Sequence, residues 1–515
     1  MTPNFYGTEW RRLDRRMLLL LPVQEVVRSF PVLVALLVAG SSSGGGAGWG
    51  LIGAAVFIAA GTLRWFTTTY RITADQVQVR RGLLRRRTLT VLRDRLRTVD
   101  VTAHALHRAL GLARITIGTG RSDRRDEGGL KLDGLSVQEA ALVREILLSK
   151  PATTVAAAAP ATGAAEVELA RWHPRWIAYG PFTLSGTITL LVVAGFGYRI
   201  VSAANVNPAR FGPIHTLVLD LGRTSPALVV LAVIATAVVV ITLFSTVGYV
   251  LAFWNFRLTR QASGTLHVSR GLVTTRAVTI DENRLRGLEF SEPLLLRGVG
   301  GARCIAIATG LRVGRGAERG GSMLLPPAPR RVAMAVAAAI LGDGEPIRGQ
   351  LIGHGRVARR RRFSRVLLVM IPLLAVLVSG WWLGGWPAWS WQVGLVGLAA
   401  GLPLAADRFH SLGHAVIGER WVARSGSLVR RRCVLSTEGI IGWNLEQSFF
   451  QRRSQVATLT ATTAAGRQAY RVQDMGLAEA IRVAEQARPG LLSPFLENAT
   501  AVPAEDCPAP QPVGL

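Results

Sequence analysis

Histidines and arginines are the residues in this 515-residue chain whose types and spacing could do chemistry. His410 and His414 stand at i, i+4, which puts two imidazoles on one helix face where they could ligate a zinc-like cation. Asp407 is the one further ligand near them in sequence, so the pair reads better as a polar collar. His104 and His107 are the other close pair. No GxSxG elbow, Walker A loop or HExxH motif occurs. "GTGRSD" (118–123) and "GLRVGRG" (310–316) carry glycines but do not join a strand to a helix as a phosphate cradle must, and read as hairpin turns. Cys304, Cys433 and Cys507 lie far apart, forming neither a disulfide framework nor a zinc site. The expectation is a non-enzymatic chain without metal or cofactor.

Arginine is the second candidate. Of 60 basic residues all but Lys131 and Lys150 are arginine, and the formal net charge is +28. So uniform a bias reads in part as GC-rich codon usage. Two clusters are dense enough to hold an anion: Arg85, Arg86 and Arg87 in "RGLLRRR", and Arg359, Arg360, Arg361 and Arg362 in "GRVARRRRFSR". Each arginine beside a bilayer gains about 1 kcal/mol from anionic headgroups, so these seven residues are the candidate headgroup contacts. Retention of positive charge on the inner side explains the second cluster equally well. Nucleic acid is not an expected partner, because the arginines are not interleaved with aromatics.

The elements that must position these residues begin with four charge-free stretches, Ser29–Leu63, Ile177–Tyr198, Pro226–Phe256 and Val366–Ala406. A helix needs about 20 apolar residues to cross roughly 30 Å of hydrocarbon, so the first and last hold two crossings each. Turns are available at "SSSGGGAG" (41–48) and "GGWPAWS" (384–390). The count is about six crossings in three hairpins. Trp49, Trp65, Trp176, Trp254, Trp381 and Trp389 mark their ends as an interfacial belt would. Arginine is dense between hairpins and sparse within them, which places the inter-hairpin segments and both termini in the cytoplasm of a cell-membrane protein. A cleaved signal peptide at residues 1–40 is the rival reading, against which the apolar run continues into a second crossing. No ionisable residue sits at mid-membrane depth, as coupled transport usually requires.

The segments after the hairpins repeat one another. Arg81-Gly82 matches Arg270-Gly271, the "RLR" of 95–97 matches that of 284–286, and Arg108, Gly111 and Arg114 match Arg297, Gly300 and Arg303, all in one gap-free register. A third copy aligns Gly426 with Gly82, Ile440 with Leu96, Trp443 with Val99, Arg452 with Arg108 and Leu459 with Ile115, but lacks the "RLR" cations. Within each copy "VQVRRG" and "LHVSRG" lead through a glycine turn to "RTLTV" and "RAVTI". "ARITIGTG", "RCIAIATG" and "ATLTATTAAG" alternate as strands, and helical patterns at 136–149, 329–341 and 476–487 close the copies. "PATTVAAAAPATGAAE" (151–166) reads as a flexible linker.

These features resemble the bacterial pleckstrin-homology-like domain of membrane-flanked proteins, in which two transmembrane helices precede a small sheet. Tyr70, Ile72, Thr73, Gly82, Leu96 and Leu110–Ala113 carry the likeness in copy one, and Leu258, Thr259, Gly271, Leu285 and Gly300 in copy two. Copy three departs at Ser454 and Gln455, and "WHPRW" (172–176) is similar to the family's approach to a hairpin. The three-copy layout is similar to the larger, YdbT-type members. The resemblance implies a multipass α-helical membrane protein with three cytosolic PH-like β-barrel or sheet modules, each capped by a C-terminal helix. The boundaries are a first hairpin within 1–66, modules at 67–150, 256–342 and 408–488, hairpins at 172–255 and 365–407, linkers at 151–171 and 343–364, and a disordered tail at 489–515. It implies a scaffold or binding platform at the inner membrane face, in envelope stress or resistance to membrane-active compounds, with membrane lipids and a smaller single-module relative as partners. Lipid or apolar-molecule transport, and a membrane-bound enzyme with an unrecognised site, are the alternatives.

Overall fold

A computed structural model describes residues 10–20, 62–63, 65–73, 75–82, 86–92, 98–118, 129–148, 166–183, 226–311 and 322–492, with positions 55, 59 and 494. The chain divides into two compact units, Met1–Gly344 with Ala465–Arg467, and Glu345–Ala464 with Gln468–Leu515. The "RLR" of 95–97, the linker at 151–165, the tail from 495 and most of the expected crossings within 29–63 and 177–198 lie outside the described residues.

In the first unit, strands β1 (Arg11–Arg12), β2 (Thr69–Ile72), β3 (Gln76–Arg81) and β4 (Arg87–Leu92) form an antiparallel sheet in chain order. After β5 (Thr98–Ala103) come a short helix α1 (Ala105–Ala109), β6 (Leu112–Gly118), β7 (Gly129–Ser136) and helix α2 (Val137–Leu148). Alternation builds the core: Tyr70, Ile72, Val77 and Val79 face inward from one sheet, and Ile115, Ile117, Leu130 and Leu132 from the other. Ser136 and Glu139 cap α2 reciprocally, each side chain taking the other's backbone N–H at 3.1 Å.

The second copy has the same order: β8 (Val167–Arg171), a tight 3-10 segment (Pro174–Phe182), helix α3 (Pro226–Phe253), β9 (Arg257–Gln261), β10 (Thr265–Arg270), β11 (Thr275–Asp281), β12 (Leu285–Pro293), helix α4 (Leu294–Gly298), β13 (Gly301–Ala308), β14 (Met323–Pro329) and helix α5 (Arg330–Leu341). Two expectations change here. Residues Val167–Arg171, read from composition as the end of a linker, are an edge strand paired with β9. Ile177–Phe182, expected to begin the third crossing, belong instead to the 3-10 segment, which Pro174 opens and which contains Pro181; from residue 184 on, that expected crossing lies outside the described residues. Copies one and two share a single seven-stranded sheet, ordered β7-β6-β5-β11-β10-β9-β8. Its seam is the antiparallel pairing of Thr275–Thr279 with Val99–Ala103.

In the second unit, α6 (Gly355–Gly384) and α7 (Trp389–His410) are joined through Gly385 in the left-handed region (φ 65). They approach closely at Gly394, where a Cβ would press on Leu374 and Leu377. The sheet β15 (Gly413–Ile417), β16 (Arg420–Ser425), β17 (Val429–Ser436) follows, then β18 (Gly442–Glu446), a short helix α8 (Phe449–Arg453), β19 (Val456–Thr462), β20 (Ala469–Gly476) and helix α9 (Leu477–Ala487). Among the described residues three helices are long and apolar enough to cross a membrane: Ala235–Phe253 within α3, α6 and α7.

Two features recur in all three copies. The turn after the first long strand rests on a left-handed glycine, Gly82 (φ 106), Gly271 (φ 110) or Gly426 (φ 100). A Cβ at Gly271 would overlap the carbonyl of Thr274, and one at Gly426 that of Val429, so the glycine is steric necessity. In addition, the backbone ahead of each apolar pair joins the strand that follows it: Arg11–Arg12 pair with Thr69–Tyr70, Val167–Arg171 with β9, and Ile352 with His414.

Candidate functional site

The arginines singled out from sequence separate once placed. Arg86 and Arg87 are exposed, as are Arg359 and Arg360, while Arg85 lies outside the described residues. Arg361 and Arg362 turn the other way, because the helical period carries 358 and 362 inward while 359 and 360 point out. The side chain of Arg362 is 1% exposed and its Nη2 is 2.9 Å from Asp474 Oδ2, which corrects the expectation that it faces headgroups. His410 and His414 also part. Helix α7 stops at His410, which is exposed, whereas His414 is fully buried on β15, so they do not share a helix face. No group of three metal-ligating side chains forms among the described residues. His104 is the N-cap of α1 and His107 lies buried within it, and burial, followed by the nearby Arg114 charge, lowers the pKa of both, favouring neutral rings.

A cavity of about 310 Å³ opens at the seam of copies one and two. Val101, Ala103, Ala113 and Val137 give it apolar walls, and Trp254 and Asn255, directly after α3, close one side. Three arginines line it: Arg108 from α1, Arg270 from the repeated Arg-Gly step, and Arg276 from β11. Each is held in place. Arg108 Nη1 donates to the carbonyl of Leu272 at 2.7 Å, and Arg276 is paired with Asp100 across the seam. Arg270, 8% exposed, lies 5.1 Å from the Phe253 ring centroid and 3.3 Å from Met323 Sδ, and burial pushes its pKa down to about 10. At that value Arg270 keeps its charge at neutral pH, and no carboxylate is among the described residues that line the cavity. Leu272 and Val273, exposed at the tip of the β10–β11 turn, stand beside it, with the turn fixed by Leu272 N–H donating to Leu251 at 3.0 Å. Preorganised cations in an apolar recess next to an apolar helix suit a phosphate or carboxylate with a hydrophobic attachment.

The second unit carries a polar cluster where α6 meets its sheet. Asp474, completely buried and in the left-handed region (φ 58), receives Arg361 Nε at 3.0 Å, Arg362 Nη2 at 2.9 Å and Gln451 Nε2 at 3.0 Å. His354, the N-cap of α6, lies 2.8 Å from the Gln473 carbonyl and 3.3 Å from His414, which in turn lies 3.3 Å from Glu479. This cluster is a fastening: Asp474 gathers Arg361 and Arg362 from α6 and Gln451 from α8, and the two histidines tie the start of α6 to β15. Sequence reasoning missed Asp474, since a single carboxylate in strand β20 gives no sign of the arginines it meets on α6.

Comparison with known families agrees with this architecture. The model for the bacterial PH domain matches residues 18–151 and 363–490, just over half of the chain. Copy two lies between these matches and has the same order of strands and helices as copy one. No curated protein and no solved structure matches the chain. Each copy joins a first group of three or four strands to a second group of three and ends in a closing helix, two of the copies answer to the family's model, and the chain belongs to the bacterial PH domain family.

Proposed function

We propose that this chain is a non-enzymatic membrane-anchored platform whose PH-like modules bind anionic lipid headgroups at the inner face of the cell membrane. The observation that carries this reading is the seam cavity, where three arginines and an apolar wall lie directly beyond the last residue of an apolar helix of membrane-crossing length. The pairing of backbone before and after each apolar pair supports six crossings in three hairpins, since a chain returning to its own sheet edge has crossed an even number of times. On this reading all three modules and both termini lie on one side, and the density of arginine in the segments between hairpins favours the cytoplasmic side. The shared sheet makes modules one and two a single rigid surface for further partners, of which a smaller single-module relative is the first to seek by co-purification.

The test uses the full chain in nanodiscs of zwitterionic lipid with a titrated anionic phospholipid, counting the anionic lipids retained. Preferential retention that falls at high salt, and falls roughly fivefold in Arg108→Gln, is expected for one lost headgroup contact of about 1 kcal/mol. Equal retention of anionic and zwitterionic lipid would exclude headgroup binding.

A further inference from the structure

Helix α8 carries two adjacent aromatics in the open. Phe449 is 67% exposed and Phe450 68%, their rings 5.5 Å apart in a T-shaped pair, and Arg452 and Arg453 beside them are exposed as well. Their position relative to α6 is fixed from two sides. Arg361 Nη1 donates to the Phe450 carbonyl at 2.8 Å. Gln451, buried beneath the pair, donates to Asp474, which also holds Arg361 and Arg362. A capping box of Ser448 and Gln451 holds the helix itself.

Arg361 stands five residues before Val366, where the charge-free stretch of α6 begins. At 1.5 Å per residue that is about 7.5 Å of rise. The headgroup layer is about 5–8 Å thick on each side of the hydrocarbon, so the bound carbonyl of Phe450 lies at headgroup level and its ring can reach the acyl boundary. The exposed Arg359, Arg360, Arg452 and Arg453 surround this level with the charge that an anionic surface attracts. The feature recurs in the repeat register. Leu106 (46% exposed) on α1 and Leu295 (57%) on α4 occupy the Phe450 position, each followed two residues later by an arginine, Arg108 or Arg297.

We propose that Phe449 and Phe450 form a wedge inserted into the headgroup–acyl boundary of the leaflet that α6 crosses, so that module three is seated on the bilayer as well as tethered to it. The wedge rests on α6 being a membrane crossing, and the test separates the two. In the full chain with Cys507→Ser, where Cys304 and Cys433 are buried, single cysteines replace Phe449, Phe450, Val369 on α6 and Asn444 on β18. Each is labelled with an environment-sensitive fluorophore in nanodiscs. Expected at both Phe449→Cys and Phe450→Cys are blue-shifted emission, quenching by lipids spin-labelled near the headgroup, and iodide quenching reduced roughly threefold or more against Asn444→Cys, the loss of water access that interfacial burial brings. Iodide quenching equal to that at Asn444→Cys overturns the wedge, and so does protection from both quenchers, which would mean a protein cover. Val369→Cys must be quenched by spin-labelled lipid; if it is not, α6 does not cross, and the wedge falls with that reading.

Discussion

His414 Nδ1 lies 3.3 Å from His354 Nε2, so the residue capping the start of α6 and a residue just beyond the end of α7 are joined ring to ring. The hydrogen-bond directions follow from the neighbours. His354 Nδ1 faces the Gln473 carbonyl and must donate to it, which leaves Nε2 to accept from His414. The far nitrogen of His414 then faces the Glu479 carboxylate. A chain of carbonyl, two buried imidazoles and a half-buried carboxylate thereby clasps the two ends of the helical pair at the edge of their sheet.

That clasp makes stability depend on pH with a definite sign. Burial, and next the neighbouring His414, hold the His354 pKa down to about 4; Arg362 acts the same way, while the Gln473 carbonyl and Glu479 act against it. The unfolded chain, with histidine near 6.5, takes up a proton that the folded chain refuses, so this contribution is present above pH 6.5 and lost as pH falls toward 4. The Glu479 pKa is lowered, chiefly by the His414 ring beside it, and its contribution is lost on the acid side too, as pH falls through the carboxylate range. Thermal unfolding of the full chain in detergent should be flat from pH 8 to 7 and then decline, by up to about 3 kcal/mol at pH 4. His354→Gln should flatten the decline between pH 6.5 and 5, above the range of Glu479; an unchanged slope would remove His354 from the account.

Asp474 supplies a second prediction. Replacing it with asparagine keeps the left-handed backbone, which asparagine tolerates, and removes only the charge. Arg362, 1% exposed, is then a buried cation without its counter-ion. Asp474→Asn should cost about 3 kcal/mol or more in unfolding experiments, whereas Arg359→Gln on the exposed face should change stability by less than about 0.5 kcal/mol. Equal effects would mean that the cluster is solvated.

What sequence could reveal follows from the range of each signal. Strands β6, β13 and β19 and the closing helices α2, α5 and α9 declare themselves by local periodicity, and the Arg-Gly step by a left-handed turn that only glycine fits. Strand β8 does not, because five residues of "VELAR" on a sheet edge carry no alternation. Helices α1, α4 and α8 are five residues each, too short for a 3.6-residue period to register. The seam cavity was beyond reach for another reason: Arg108 and Arg276 meet only because strands of different copies pair, and no local pattern announces that β5 joins β11. The division of Arg359–Arg362 into exposed and buried members is a matter of helical phase, visible only once the partner of the inner face is known.

The repeat also exposes a position where copy three pays for its divergence. Gly111 (φ 68) and Gly300 (φ 69) end α1 and α4 in the left-handed region, and in the same register after α8 stands Gln455 (φ 52). The turn has been kept and the residue suited to it lost. A Cβ in this conformation costs about 1 kcal/mol, and Gln455 offers little in return, its side chain reaching only the Arg452 carbonyl at 3.4 Å. Gln455→Gly should therefore raise the stability of the chain by about 1 kcal/mol less the added freedom of the unfolded glycine, and Gly300→Gln, the reciprocal change, should lower it. Both are read from unfolding midpoints in detergent. If Gln455→Gly destabilises, the left-handed turn of copy three is held by contacts of the glutamine that outweigh its backbone strain.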